Sequence, residues 1–160
     1  MATLTTQLYV IRHAEAKAAV DGDDAARPLT KKGRKRFARL LRRLADAGMA
    51  VDVIATSPLV RTRETAELVA REVGGRVEPV DALAPGADWQ ALVEWTARRD
   101  AARVAWVGHA PCVGRLVALS IGDGSAAIRM EKGAVAAIAL GDGPAQPGDL
   151  EWLATPDLLD

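Results

Sequence analysis

The feature that most constrains the fold is a repeated one: short, mostly apolar runs that stop on a polar residue and are followed by segments of helical period. Leu8-Tyr9-Val10-Ile11 stops on Arg12-His13, Val51 to Thr56 stops on Ser57-Pro58, and Val104-Ala105-Trp106-Val107-Gly108 stops on His109. A strand that is apolar at nearly every position has no solvent face, so it needs cover on both sides, as in a parallel sheet between helix layers. The alternation predicts an α/β fold: a three-layer α/β/α sandwich with a mainly parallel central sheet. With 160 residues, a single domain spanning 1–160 with an ordinary hydrophobic core is the expectation.

The intervening segments supply the helices. A polar loop at residues 16–27 is too short for a large lid. Thr30 then reads as an N-cap, and Phe37, Leu40, Leu41 and Leu44 mark the buried face of a helix that stops near Gly48. The opposite face carries Lys31, Lys32, Arg34, Lys35, Arg36, Arg39, Arg42 and Arg43 and no acid. It reads as a solvated face, with an acidic partner or polyanion as the alternative. Ser57 and Pro58 read as the cap and first residue of a second helix that ends at Gly74-Gly75. Arg76 to Val80 reads as a short strand, residues 84–86 as a turn, and Trp89 to Ala97 as a helix whose tryptophans are packing residues. Pro111 sits where a first helical residue belongs, ahead of Val113, Leu116, Val117 and Ser120. Ala110 before it is a poor cap, which leaves the amides of that helix start for an anion. Ala134 to Leu140 and Asp149 to Ala154 read as a hairpin or two edge strands around the turn-rich Gly141-Asp142-Gly143-Pro144.

Charge and composition exclude several partners. The 21 basic and 21 acidic side chains cancel, so the whole chain has no net attraction for nucleic acid or an anionic membrane. Cys112 is the single cysteine, no stretch reaches membrane-spanning length, and residues 1–7 show no basic region leading into an apolar one. A soluble cytoplasmic protein is the expectation.

In a sheet of this kind the carboxyl ends of the strands form the binding crevice. Arg12, His13, Arg61 and His109 all fall at or just beyond such ends. Two forked guanidinium groups, two imidazoles and two helix N-termini make an anion cradle, and a phosphoryl group matches it best. Arg61 and Arg63 lie near a helix start, where the dipole disfavours cations; the plain alternative to a bound anion is pairing with Glu64, Glu67 or another carboxylate. A neutral imidazole is a competent nucleophile, and neighbouring arginines disfavour its protonation. A metal site built on His13, His109 and Cys112 finds no other ligand at suitable spacing except Glu15. A satisfied core histidine is the alternative for His109, against which its place at a strand tip before Pro111 argues.

Four motifs in order carry a resemblance. Arg12-His13-Ala14-Glu15-Ala16, Arg27-Pro28-Leu29-Thr30-x-x-Gly33, Ser57-Pro58-x-x-Arg61-x-x-x-Thr65 and Gly108-His109-x-Pro111-x-Val113-Gly114 resemble the histidine phosphatase superfamily, over about Leu8 to Leu140. The short length and motif order are similar to its SixA-type phosphohistidine phosphatase branch. The resemblance implies a phosphoglycerate mutase-like fold and a phosphohydrolase that needs no metal or cofactor. It also implies that His13 is transiently phosphorylated while Arg12, Arg61 and His109 bind the phosphoryl oxygens, with Ala110 beside them as a substrate-binding position.

Two departures shape the expected substrate. Ala14 stands where the family most often has glycine, a change that tightens the approach to phosphate. The segment Leu83-Ala84-Pro85-Gly86-Ala87 lacks the glutamate with which mutase-like and general phosphatase members resemble one another, leaving Glu15, Asp81 and Asp88 as candidate proton donors. An alkoxide leaving group needs such an acid, whereas imidazole needs it far less. The expected substrate is therefore phosphohistidine on a protein, such as a histidine phosphotransfer domain. The alternatives are a small phosphate ester or condensed phosphate, held by the basic helix and Lys132, and a phosphate-binding module without turnover.

Overall fold

The computed structural model describes residues 5–141 and 146–159. Strands β1 (Thr6–Arg12), β2 (Val53–Thr56), β3 (Arg76–Pro79), β4 (Arg103–Gly108), β5 (Val135–Leu140) and β6 (Asp149–Ala154) alternate with helices α1 (Lys31–Asp46), α2 (Val60–Val73), α3 (Trp89–Ala97) and α4 (Cys112–Ile121) through β5. They form one six-stranded sheet in the order β3-β2-β4-β1-β5-β6. The four strands from β3 to β1 run parallel; β5 is antiparallel to β1, and β6 to β5. The sheet is thus mainly parallel, as the apolar runs predict.

Strand β1 shows why. Tyr9 and Ile11 pack with Phe37 and Leu41 of α1 and Val69 of α2, while Leu8 and Val10 pack on the other face with Trp106, Leu116 and Val117. Every residue of its apolar run is buried, so both faces have a helix layer to satisfy. Trp106 is wholly buried, donates from Nε1 to Thr96 Oγ1 at 3.0 Å and meets Trp89 edge to face, so these rings pack as expected.

Two helix starts differ from the sequence reading, while β5 and β6 pair antiparallel with each other, as a hairpin would; β5 lies between β1 and β6, and β6 is at the edge. The turn expected between them lies, beyond Gly141, outside the described residues. Helix α2 starts at Val60 with Leu59 as N-cap, not at Ser57-Pro58; Ser57 Oγ accepts from Leu59 N at 3.3 Å and also meets the His109 ring. Helix α4 starts at Cys112, and Pro111, joined to Ala110 by a cis bond, stands just outside it. Thr30 does cap α1, its Oγ1 accepting from Gly33 N at 2.8 Å.

The basic face of α1 is in part neutralised from within. Arg34 and Arg42 pair with Glu64 and Glu72 of α2, Arg36 pairs with Asp157, and Arg39 donates to the Leu159 carbonyl at 2.8 Å. Lys31, Lys32 and Lys35 are exposed. Lys132 lines a polar cavity of about 210 Å³ beside Arg12, together with Glu15, Arg36 and Glu131. Among the described residues, no helix is long and apolar enough to cross a membrane.

Candidate active site

The C-terminal ends of β1, β4 and β2 are neighbours in the sheet, and that adjacency assembles the site. His13 follows β1, His109 follows β4, and Ser57 follows β2, with Arg61 in the first turn of α2. Residues far apart in sequence therefore meet.

His13 is held by its backbone: its N–H donates to the Gly108 carbonyl at 3.1 Å, and its carbonyl accepts from Gly133 N at 3.0 Å. Its ring Nδ1 lies 2.7 Å from the Ala14 carbonyl oxygen. A carbonyl only accepts, so Nδ1 carries the proton and Nε2 keeps its lone pair. The ring is 6% exposed. Burial pushes its pKa down to about 4, aided by His109, Arg61 and Arg12 and opposed by the Ala14 hydrogen bond.

His109 is equally buried, with its ring centroid 5.5 Å from that of His13. Its Nε2 is 2.8 Å from Ser57 Oγ. Burial, with Arg61 and Arg12, lowers its pKa to about 4 as well, against the opposing charge of Asp24. Both rings are thus neutral at neutral pH.

Arg12 donates from Nη1 to the Met130 carbonyl at 3.0 Å. Arg61, 6% exposed, donates from Nη1 to the Asp24 carbonyl at 2.9 Å and from Nη2 to Asp24 Oδ2 at 3.1 Å. Its partner is thus Asp24, and neither Glu64 nor Glu67. Arg12 Nε, Arg61 Nε and His109 Nδ1 are buried nitrogens with no hydrogen-bond partner among the described residues. Leaving such a group unpaired costs roughly 1–3 kcal/mol, more when it is charged, and an oxyanion offers acceptors to all three.

The other expected residues divide. Ala110 adjoins His109 and is exposed. The Ala14 side chain is buried in the core cluster on the α1 and α2 side, and its N–H donates to Thr65 Oγ1 at 3.1 Å. Glu15 accepts from Thr30 Oγ1 at 2.9 Å, and Asp88 caps α3 by accepting from Ala91 N at 3.1 Å. Asp81 begins the short 3-10 turn Asp81–Leu83 that leads towards α3. Cys112 Sγ accepts from Gly86 N at 3.3 Å, and among the described residues no group of three or more His, Cys, Asp or Glu side chains is arranged to hold a metal ion.

The sequence reading misses three contributors: Ser57, Thr65 and Asp24. Ser57 and Thr65 stand in the third motif, yet nothing local shows that one reaches His109 and the other holds both Ala14 N and the Arg61 carbonyl. Asp24 comes from the short loop, whose base is closed by Lys17 N to the Pro28 carbonyl at 2.8 Å. Asp21 and Asp23 flank it, and no local signal distinguishes the three.

The family model of the histidine phosphatase superfamily, branch 1, matches residues 8–128. The chain belongs to that superfamily. Family membership supports phosphatase activity, and an uncharacterized protein of Picosynechococcus sp. is 39% identical to the chain over 113 residues, 68% of each. The structure of SixA, a protein histidine phosphatase complexed with tungstate, superposes with a TM-score of 0.86 at 24% identity over 97% of this chain and 100% of that one. A candidate SixA phosphohistidine phosphatase from Nakamurella multipartitia gives 0.76 at 27% identity, over 95% and 96% of the two chains. A phosphoglycerate mutase from Bacillus anthracis gives 0.66 at 19% identity, over 98% of this chain and 95% of that one. The chain has the SixA-type arrangement of that mutase-like fold.

Proposed function

We propose that the chain is a metal-independent phosphohistidine phosphatase acting on a phosphorylated protein, with His13 as nucleophile. The observation that carries this reading is the Nδ1–H of His13 on the Ala14 carbonyl, which leaves Nε2 as a lone pair in a buried ring kept neutral. Nε2 attacks phosphorus, the bond to the leaving group breaks, and the electron pair departs with that group. Arg12, Arg61 and His109 take the phosphoryl oxygens through the buried nitrogens that have no partner among the described residues. In-line transfer needs little more than this positioning and charge. Water then attacks the phosphorus, both of its protons stay with the released phosphate, and the pair returns to Nε2. Tungstate is a tetrahedral oxyanion like phosphate, so the SixA complex named above supports an oxyanion site in this fold.

The test is to trap the phosphoenzyme. Radiolabelled phosphoimidazole and a phosphorylated histidine phosphotransfer domain are expected to leave an acid-labile label on His13, and His13→Ala is expected to lose the label and at least about 10³-fold in turnover. Label on another residue, or rapid hydrolysis of sugar phosphates with none of phosphohistidine, overturns the reading.

A further inference from the structure

Ser57 is fixed on every side. It is wholly buried, its N–H donates to the Val107 carbonyl at 3.1 Å, and its carbonyl accepts from Thr56 Oγ1 and Thr62 Oγ1, each at 3.0 Å. These bonds tie it to β4 and to the first turn of α2. Its Oγ accepts from Leu59 N at 3.3 Å and lies 2.8 Å from His109 Nε2. A hydroxyl has one proton to give, and burial keeps solvent from taking it.

The contact with His109 admits two proton arrangements for a neutral ring. With the proton on Nε2, Ser57 Oγ accepts from both Leu59 and His109, and its own O–H has no other acceptor among the described residues. His109 Nδ1 is then a bare lone pair, buried and without a partner among those residues, and it repels an oxyanion. With the proton on Nδ1, the hydroxyl takes the Leu59 N–H on its oxygen and gives its own proton to Nε2. Only Nδ1–H is left over, and a phosphoryl oxygen is the acceptor it lacks. An unpaired buried polar group is costly, so the arrangement that leaves one such group is favoured over the one that leaves two.

We propose that Ser57 is a positioning residue that fixes the tautomer of His109: its hydroxyl donates to Nε2 and so holds the ring proton on Nδ1, where a neutral imidazole donates to a phosphoryl oxygen. The proposal rests on the reading of His109 as a phosphoryl contact given above. Leu59 N–H, Ser57 O–H and His109 Nδ1–H form one directed chain that ends on the phosphoryl group. The donor is therefore set before the substrate arrives, and it takes up no proton in order to act. A protonated ring is the other source of an Nδ1–H, and burial together with the charges of Arg61 and Arg12 opposes it.

The test reads the proton directly. The whole chain with isotope-labelled histidine nitrogens gives magnetic resonance signals from two rings, which His13→Asn assigns. At neutral pH His109 is expected to show a protonated Nδ1 and a bare Nε2, both alone and with tungstate. In Ser57→Ala its proton is expected to pass wholly or partly to Nε2, while His13 keeps its own on Nδ1. Turnover of phosphoimidazole by Ser57→Ala is expected to fall about 10-fold to 100-fold, up to the loss of one oxyanion donor, with tungstate inhibition weakened by a similar factor. In a His109→Asn background Ser57→Ala is expected to cost no further turnover, because it acts only through that ring. A proton on His109 Nε2 in the unmodified chain overturns the proposal, and this measurement needs no variant to fold. An unchanged tautomer in Ser57→Ala, or an equal further loss in the His109→Asn background, also overturns it. Label on a residue other than His13 overturns the reading of the nucleophile, and the His109 tautomer still stands or falls by its own spectrum.

Discussion

His13 and His109 share a property that reaches beyond catalysis, since each holds its proton less tightly in the folded chain than in water. Their pKa values are near 4, against about 6.5 for an unperturbed histidine. Between those values the unfolded chain binds protons that the folded chain refuses, so stability rises with pH across that window. The contribution is complete above pH 6.5 and is lost as pH falls towards 4, at up to about 1.4 kcal/mol per pH unit for each ring. Urea melts at a series of pH values are expected to show this slope, and a His13→Asn, His109→Asn double variant to flatten it. On the kinetic side, the acid limb of kcat/KM is expected well below pH 6, because His13 keeps its lone pair there. At this scale Arg12, His13, Arg61 and His109 are legible as an anion cradle from residue type and motif. Asp24 and Ser57 are not, because their partners lie 37 and 52 residues away and nothing in a polar loop or a helix start reports a distant contact.

Between elements, α1 packs closely at Gly33 against the segment that follows His13. A Cβ at Gly33 would lie 2.6 Å from the Glu15 carbonyl oxygen and 2.9 Å from Glu15 Cβ. Backbone at that distance has no rotamer with which to yield, so Gly33→Ala is expected to destabilise the fold by about 1–3 kcal/mol. It is also expected to lower kcat, since Glu15 is only two residues from His13, and urea denaturation with steady-state kinetics reads both. Most elements are legible because periodicity and capping are local: Thr30 caps α1, and α3 spans Trp89–Ala97 as its apolar spacing requires. The starts of α2 and α4 are less so. A serine before a proline has the chemistry of a cap, and its hydroxyl does accept from Leu59 N, but only the folded chain shows that the same oxygen also meets the His109 ring.

Across the whole molecule, cover on both faces of the sheet makes neighbouring positions of β1 equally sensitive. Ile11 faces α1 and α2, Val10 faces the layer that holds α4, and neither is exposed. Ile11→Ala and Val10→Ala are each expected to cost about 2–4 kcal/mol in chemical denaturation. A sheet with one wet face would instead tolerate one of the two. The three-layer architecture and the side of the sheet that carries chemistry follow from the chain's own pattern, because apolar runs and helical periods restrict every fold the chain can adopt. The insertion of β5 beside β1 and the seating of Asp24 on Arg61 do not follow from it. Strand neighbours and ion pairs between distant segments depend on which surfaces fit together, and that information exists only once the chain has folded.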